Sequence, residues 1–318
     1  MNSSPVLETT EPSFWIEREC SMEVKSNKRK KNVKKMTPYV FIFPAFLLIV
    51  VVLLFPVVRG VVSSFENTVL TSSAPTRFVG LENYTQLFKD RAFKSALEKS
   101  LLWTVAIILA QLVFGLMIAL LLNKDLKFKK LFRSLILIPW VIPNAIVAVT
   151  WKWIFAEQYG LLNSMLLKVG LINEPQAWLS AGSSAFWALV ITAIWKGTPF
   201  VAIVILAGLQ SIDHTIYEAA AVDGIGGVGK LFKITLPLIR KIILTVGTLT
   251  AIWTFNTFDI IQIITRGGPG DSTLTMPMFT YKLFNNAFQV SYASAAATIM
   301  MIALIIPSYL YVRAVMKD

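Results

Sequence analysis

Residues 224–230, with the sequence GIGGVGK, show the glycine and lysine spacing of loops that hold phosphate groups. Such a loop works only between a strand and a helix, because the backbone N–H groups at the helix start must point at the phosphate. Here the Ala-rich stretch 217–223 favours a helix before the loop, Leu231 stands where a hydroxyl would bind Mg²⁺, and Pro237 comes too early for a long helix. We therefore expect the glycines to form a tight turn between two short helices, without nucleotide binding.

Side chains for nucleophilic or metal chemistry are scarce in this chain. One cysteine, Cys20, and one histidine, His214, exclude a disulfide framework and a zinc site built from Cys and His. A Ser-His-Asp or Cys-His arrangement would have to use His214. We therefore expect neither a catalytic site nor a metal site in this chain.

The elements that position the remaining polar residues are expected to be membrane-spanning helices. Of the 318 residues, 55% are hydrophobic and 15% are charged, and the mean hydropathy is +0.65, whereas soluble proteins carry about 25% charged residues. A bilayer core needs about 20 apolar residues per helix, and six stretches fit: 39–58, 101–122, 135–155, 185–209, 242–264 and 293–312. Pro139 and Pro143 in the third of these spans and Pro199 in the fourth predict kinks.

The distribution of Lys and Arg predicts the orientation, because basic residues concentrate in cytoplasmic loops. Of the 30 Lys and Arg residues, nineteen lie in the tail 1–38 and in the loops on the same side of the membrane as the tail. Nine lie in the loops on the opposite side, and Lys152 and Lys196 lie within spans. Both termini are therefore expected in the cytoplasm. We interpret the tail as disordered and topogenic, and not as a nucleic-acid-binding segment or a cleavable signal, since no apolar stretch precedes its basic run at 28–35.

The loop 210–241 predicts a pair of short amphipathic helices. Asp213 can cap the first helix and Gly224 can end it. The three alanines at 219–221 keep this helix narrow, so that it could lie in a groove of a partner protein. After the glycine turn we expect Lys230 and Lys233 to face water. The other interpretation is a helix lying on lipid headgroups.

This loop also carries the most specific resemblance in the sequence. One set of its residues reproduces, in type and spacing, the signature E-A-A-x₃-G-x₉-I-x-L-P: Glu218, Ala219, Ala220, Gly224, Ile234, Leu236 and Pro237. That signature belongs to the permease subunits of binding-protein-dependent ABC importers, which the chain resembles from about residue 35 onwards. Further segments are similar to the sugar-uptake (maltose-type) branch of this family: 78–84, 137–143, 194–197, 206–210, 258–261 and 265–269.

The resemblance implies an all-α membrane protein with six transmembrane helices, the type I ABC importer permease fold and a cytoplasmic coupling helix. Together with the charge distribution, it divides the chain into the disordered basic cytoplasmic tail 1–38, a first transmembrane helix with an outer loop at 39–95, and an ABC transmembrane type-1 domain at 96–318, with the coupling loop at 210–241. It also implies a location in the bacterial cytoplasmic (inner) membrane.

The partners implied by the resemblance are a second, homologous permease subunit, two cytoplasmic ATPase subunits and an extracytoplasmic solute-binding protein. The outer loops 78–94 and 163–180 would contact the binding protein. ATP and Mg²⁺ would be bound by the ATPase, so that no cofactor is expected in this chain. The coupling helix would transmit the closure of the ATPase as a rigid-body movement. Its implied docking residues are Glu218, Ala219, Ala220, Asp223, Gly224, Ile234, Leu236 and Pro237.

A sugar substrate would need aromatic faces for its C–H surface and hydroxyl or amide groups for its hydroxyl rim. In the fifth predicted span, Trp253, Asn256 and Thr257 share one helical face by their spacing. By similarity to the maltose-type branch, the substrate would cross near the bilayer midplane, between this chain and the second permease. The residues expected to contact it are Trp140, Lys196, Gly197, Phe200, Trp253, Thr254, Asn256, Thr257 and Asp259.

Lys196 lies near the centre of the fourth predicted span, where a lysine costs roughly 2.5–3.5 kcal/mol on insertion scales. It should therefore face a cavity or a carboxylate, and Asp259 is the acidic candidate within the spans. A Lys196–Asp259 pair would be structural, whereas an unpaired Lys196 would favour polar or acidic sugars. The sequence leaves both roles open.

Three other functions compete with sugar import. An ion-coupled secondary transporter would need carboxylates in the membrane, and Asp259 alone lies well within a predicted span. A membrane-embedded enzyme would need clustered Asp, Glu or His near the span ends, whereas the outer loops carry scattered Glu and Asp. A permease for a non-sugar solute would share the E-A-A loop, and the sugar-branch segments argue against it.

Overall fold

A computed structural model of the chain describes residues 41–71, 75–125 and 127–316. The chain divides into two compact units, Met1–Gly60 and Val61–Asp318. The expectations for the tail 1–38 and for the start of the first span lie outside the described residues. The regular elements of the described part are helices, apart from one short hairpin.

The described part of the first unit is a single apolar helix, α1 (Phe41–Ser63), whose last three residues belong to the second unit. It contains a π-helical stretch, Ile49–Leu54. The side chains before Arg59 are uncharged, and almost all of them are exposed. A helix of this length that is apolar on every side is typical of a membrane span, which confirms the first predicted span.

The second unit starts with an antiparallel hairpin of β1 (Glu66–Asn67) and β2 (Arg77–Phe78). Connected helices make up the rest of the unit. They are α2 (Glu82–Lys89), α3 (Arg91–Asn123), α4 (Lys129–Val141), α5 (Asn144–Ile154), α6 (Leu161–Lys168), α7 (Gly182–Gln210), α8 (His214–Val222), α9 (Gly227–Leu238), α10 (Arg240–Phe255), α11 (Asp259–Ile264), α12 (Met276–Asn285) and α13 (Val290–Met316).

Four of these helices, α1, α3, α7 and α13, are each long and apolar enough to cross a membrane alone. Two further crossings can be formed by bent pairs: α4 and α5 meet at 89°, and α9 meets the segment Arg240–Ile264, which contains α10 and α11, at 69°. The described residues thus contain up to six spans, as predicted. The bend predicted at Pro143 is a complete break, because proline removes an N–H group and keeps Ile142 extended. In contrast, α7 continues through Pro199 as one helix.

Helices α3 and α7 form the central pair of the second unit. A Cβ atom added to Gly115 of α3 would lie 2.7 Å from Cγ1 of Val201, so glycine allows the two helices to approach this closely. One buried cluster around Trp103 joins α3 and α7 to α11, α12 and α13, and a second around Val201 joins them to α10. The central pair therefore fixes the positions of the helices that bend.

The connection between α5 and α7 is organised by Asn163, whose side chain is buried. Its Nδ2 donates to the carbonyl oxygens of Glu157 and Gln176, both at 2.9 Å. Its Oδ1 accepts a hydrogen bond from the indole N–H of Trp178 at 2.8 Å. These bonds give the 157–178 segment a fixed shape.

Candidate functional site

A cavity of about 380 Å³ lies where the break between α4 and α5 faces α7 and α10. Non-helical backbone at membrane depth is tolerated where it lines a cavity, and such places are common binding sites in transporters. The cavity is lined by Gln111, Trp140, Asn144, Ala193, Lys196, Gly197, Phe200, Thr250, Trp253, Thr254, Thr257 and Ile260.

The break between α4 and α5 is stabilised by Lys196 of α7. Its Nζ donates to the carbonyl oxygens of Ile142 at 2.6 Å and of Trp140 at 3.2 Å. The last carbonyls of a helix have no partner within that helix, and a cation placed there also interacts favourably with the helix dipole. Lys196 therefore joins α7 to the C-terminal end of α4.

A second break separates α10 from α11. The indole Nε1 of Trp103 donates to the carbonyl oxygen of Thr254 at 2.9 Å, which satisfies one of the last carbonyls of α10. Between the two breaks, Nδ2 of Asn144 donates to Oδ2 of Asp259 at 3.3 Å. Of the two roles that the sequence left open for Lys196, the structural pair with Asp259 is therefore wrong: in the described part of the chain both side chains have other partners.

Three aromatic rings form one wall of the cavity. Trp140 stacks on Phe200 with ring centroids 5.2 Å apart and planes at 19°, and Phe200 contacts Trp253 at 5.1 Å and 55°. Trp140 and Trp253 remain 41% and 51% exposed. An exposed aromatic face beside polar groups can pack against the C–H face of a polar ring compound.

Sequence reasoning missed Gln111 of α3. Its side chain is buried, and its Nε2 donates to the carbonyl oxygen of Ala193 at 2.9 Å. A Cβ atom added to Gly197 would collide with this amide, lying 2.8 Å from its Cδ, so glycine at 197 makes room for it. The signal in the sequence was a glutamine in the middle of an apolar span, since polar side chains in membrane helices mark cavities and helix contacts.

Seven of the nine predicted substrate residues line the cavity and two do not. Asn256 donates from Nδ2 to the carbonyl oxygen of Ile252 at 2.9 Å, and Asp259 is bound by Asn144. The expected shared face is interrupted at Asn256, because α10 ends at Phe255. The five lining residues absent from the prediction are Gln111, Asn144, Ala193, Thr250 and Ile260.

The E-A-A segment, residues 210–241, folds as two short helices joined by a tight turn. The side chain of Asp213 caps α8 by accepting a hydrogen bond from the backbone N–H of Thr215 at 2.9 Å, which lowers the pKa of the Asp213 carboxyl. Gly224 ends the helix with a φ of +72°, a conformation that favours glycine. Since a helix precedes the glycines, this segment lacks the strand that a phosphate-binding loop requires.

Side-chain bonds hold α8 against α9. The hydroxyls of Tyr217 and Thr235 lie 3.1 Å apart, and Nζ of Lys230 donates to the carbonyl oxygen of Tyr217 at 3.2 Å. Lys230 is half-buried, so the expectation that it faces water is wrong: its ammonium group links the two helices. The segment therefore forms one connected unit that leads directly into α10.

Most residues of the E-A-A signature lie on the surface. Val222 and Val228 extend this surface with apolar side chains that are 88% and 73% exposed. Nδ1 of His214 lies 2.9 Å from Oε1 of Glu218 on the same helix. Exposed apolar surface of this kind marks contact sites for a partner. Of the predicted docking residues, Ala220 is buried, Ile234 and Leu236 are partly buried, and the exposed ones are Glu218, Ala219, Asp223, Gly224 and Pro237.

Comparison with known families identifies the chain. The family described as binding-protein-dependent transport system inner membrane component matches residues 111–318. The chain belongs to this family. The matched range includes all the residues that line the cavity and the whole E-A-A segment. The chain is thus a membrane-embedded permease subunit of an ABC importer, and ATP hydrolysis belongs to a partner subunit.

Relatives support the assignment along most of the chain. The sulfoquinovosyl glycerol transport system permease protein SmoG of Agrobacterium fabrum is 36% identical over 270 residues, 85% of this chain and 87% of SmoG. The trehalose/maltose transport system permease protein MalF of Thermococcus litoralis is 34% identical over 247 residues, 78% and 83% of the two chains. The lactose transport system permease protein LacF of Rhizobium radiobacter is 32% identical over 296 residues, which cover 91% of this chain and 97% of LacF.

Solved structures share the fold. A chain of a bacterial alginate ABC transporter, in complex with its alginate pentasaccharide-bound periplasmic protein, superposes with a TM-score of 0.77 at 21% identity, over 88% of this chain and 94% of that one. A chain of a bacterial ABC transporter involved in alginate import gives a TM-score of 0.75 at 21% identity, over 90% of this chain and 99% of that one. The type I importer permease fold therefore extends over most of the permease.

Proposed function

We propose that this permease forms half of the path through which an ATP-driven importer moves a sugar or oligosaccharide, and that the sugar contacts the cavity on its way. The observation that carries this proposal is the wall of Trp140, Phe200 and Trp253 beside polar side chains in one cavity between broken helices. Sugars present both an apolar C–H face and a rim of hydroxyls, so they need both kinds of group. The names of SmoG, MalF and LacF support the same substrate class.

Within the cavity, the aromatic rings would pack on sugar ring faces, and Thr254 and Thr257 would offer hydroxyl oxygens. Gly197 acts indirectly, because its missing side chain admits the amide of Gln111. Asn256 and Asp259 lie outside the cavity and are not part of the proposed contact set.

The E-A-A segment would dock on one of two cytoplasmic ATPase subunits, which bind ATP and Mg²⁺ in place of this chain. The exposed helix α8 has small side chains at 219–221, so a partner can approach it closely. Its bonds through Tyr217 to Lys230 and Thr235 connect it to α9, and α10 follows at Arg240. A displacement of α8 would therefore reach α10, which contributes to the cavity wall.

The remaining parts of the assembly follow from the same proposal. A second, homologous permease would complete the path, and an extracytoplasmic binding protein would deliver the sugar against the loops 78–94 and 163–180. Both termini would lie in the cytoplasm and the chain in the bacterial inner membrane, since nineteen of its 30 basic residues then face inwards.

Co-purification from the native host tests the docking site. The tagged permease and its Glu218→Lys and Gly224→Asp variants are solubilised in detergent, and mass spectrometry identifies the bound proteins. Gly170→Asp is the matched control, because Gly170 has a φ of +69° and open space around it, as Gly224 does. We expect an ATPase and a second permease with the wild type and with the control, and loss of the ATPase with both E-A-A variants. A permease that purifies alone, or an ATPase that stays bound to both variants, would refute the docking assignment.

A further inference from the structure

Two buried polar atoms in the cavity wall have no hydrogen-bond partner among the described residues. They are Oε1 of Gln111 and Oγ1 of Thr250, in side chains that are 3% and 5% exposed. A buried polar atom without a partner costs about 1–3 kcal/mol, so proteins seldom keep one without a reason. Both atoms belong to residues that line the same cavity, and neither atom is itself exposed, so a ligand reaches them only when their side chains turn towards the cavity.

The orientation of the Gln111 side-chain amide determines what its atom without a hydrogen-bond partner can bind. Its Nε2 donates to the carbonyl oxygen of Ala193, and exchanging the amide oxygen and nitrogen would place two acceptors against each other. The atom left without a partner is therefore the amide oxygen, which can only accept a hydrogen bond. A sugar hydroxyl can donate one, whereas an ionised carboxylate or sulfonate cannot.

The single basic residue that lines the cavity uses two of its three N–H groups within the protein. Nζ of Lys196 already donates to the carbonyl oxygens of Trp140 and Ile142. Its charge lies at the C-terminal end of α4, where it interacts with the negative end of the helix dipole. The twelve lining residues contain no arginine and no second lysine that could bind an acidic group.

We propose that Gln111 and Thr250 form a polar floor in the cavity that determines specificity, so that the saccharide presents an uncharged hydroxyl there and neutral sugars are preferred to uronates or sulfonates. This inference rests on the proposed function and narrows its substrate class. It also gives Gly197 its role, which is to leave room for the amide of Gln111 in the orientation in which its oxygen has no partner.

Saccharide binding to the complete membrane complex, without the binding protein, tests the floor. The complex, co-purified through the tagged permease, is placed in lipid nanodiscs, and dissociation constants are measured by saturation-transfer NMR. The probes are maltose and lactose, each beside the counterpart in which the terminal 6-hydroxymethyl group is oxidised to a carboxylate. We expect the neutral sugar of each pair to bind at least fivefold more tightly to the wild type.

Three variants separate recognition from structure. Thr250→Val and Gln111→Met each remove a floor atom with little change of shape, and we expect each to weaken neutral-sugar binding about five- to tenfold. Thr104→Val is the matched control, because Thr104 is a buried threonine with an unpartnered hydroxyl on the same helix as Gln111 and does not line the cavity. Both Thr→Val variants should unfold at the same temperature as the wild type or slightly higher, since each removes a buried unpaired hydroxyl.

The outcomes distinguish the two proposals. Equal or tighter binding of the acidic sugars would overturn the polar floor, and so would unchanged neutral-sugar binding in Thr250→Val and Gln111→Met. A loss in Thr104→Val equal to the loss in Thr250→Val would also overturn it, by showing a general loosening of the helices. If the wild-type complex binds none of the four probes, the proposed sugar path itself is contradicted.

Discussion

Replacing Gly197 by alanine should destabilise the permease, although the same change in an open helix would stabilise it. The added methyl group would lie 2.8 Å from Cδ of Gln111 and closer still to its Nε2, well inside the usual contact distance of about 3.5–4.0 Å between heavy atoms. The amide must therefore move, and its bond to the carbonyl oxygen of Ala193 is lost.

The magnitude follows from opposing contributions. Overpacking of this kind costs about 1–3 kcal/mol, and the lost hydrogen bond adds about 1 kcal/mol. Alanine gains about 1 kcal/mol over glycine in a helix interior. The net loss should thus be about 1–3 kcal/mol, which lowers the Tm by about 2–5 °C for a chain of this size.

Thermal unfolding in detergent, followed by tryptophan fluorescence, measures this loss. Gly247→Ala is the matched control, because Gly247 lies within α10 and an added Cβ atom there would be 3.7 Å from its nearest neighbour, Cδ1 of Leu112. Its Tm should stay the same or rise. The double variant Gln111→Ala with Gly197→Ala removes the clash, so the cost of Gly197→Ala should disappear in that background.

Two results would refute this reasoning. One is a Gly197→Ala variant as stable as Gly247→Ala. The other is an equal cost of Gly197→Ala with and without the side chain of Gln111, which would show that the glycine serves another purpose.

Three further perturbations test other contacts. Lys196→Met should lower the Tm by several degrees, because the carbonyls of Trp140 and Ile142 lose their donor. Lys196→Arg should retain most of the stability, since arginine can still donate to these carbonyls. Equal Tm values for the two variants would contradict the role of Lys196 at the end of α4. Asn163→Ala should speed proteolysis within 157–178, because five hydrogen bonds of the Asn163 side chain shape this segment. Cleavage at the wild-type rate would argue against that role. Asp213→Ala should speed amide exchange at the start of α8. Because the folded pKa of Asp213 is lowered, the contribution of this cap is complete above the ordinary pKa and is lost as the pH falls through the lowered one. The protection factor, which is the exchange rate of the unfolded chain divided by the measured rate, should therefore fall as the pH falls through this range, and a constant protection factor would contradict the cap.

The sequence predicted most of what local patterns control. Apolar runs located the spans, because a bilayer needs a fixed length of apolar helix. Asp213 and Gly224 predicted the ends of α8 correctly, since capping depends on residues close in sequence. The spacing of the E-A-A signature was sufficient to indicate the family.

The cavity could be predicted only in part, because its contacts join residues far apart in the chain. Trp103 satisfies the carbonyl of Thr254, and Lys196 satisfies those at the end of α4, through contacts that no local pattern contains. Gln111 was missed for the same reason, as its partner Ala193 lies on another helix. Asn256 was assigned to the substrate face on the assumption that the helix continues to Thr257. Because α10 ends at Phe255, Asn256 lies outside the helix and does not share this face.

Transport by the reconstituted complex tests whether this permease imports sugars with energy from ATP. The complex purified through the tagged permease is placed in liposomes with its binding protein, and the uptake of radiolabelled maltose, trehalose and lactose is compared with that of histidine and phosphate. We expect that at least one sugar accumulates only when ATP is present on the side of the E-A-A segment, and that Glu218→Lys abolishes this accumulation. Sugar uptake driven by an ion gradient without ATP, or ATP-driven uptake of the non-sugar solutes alone, would contradict it.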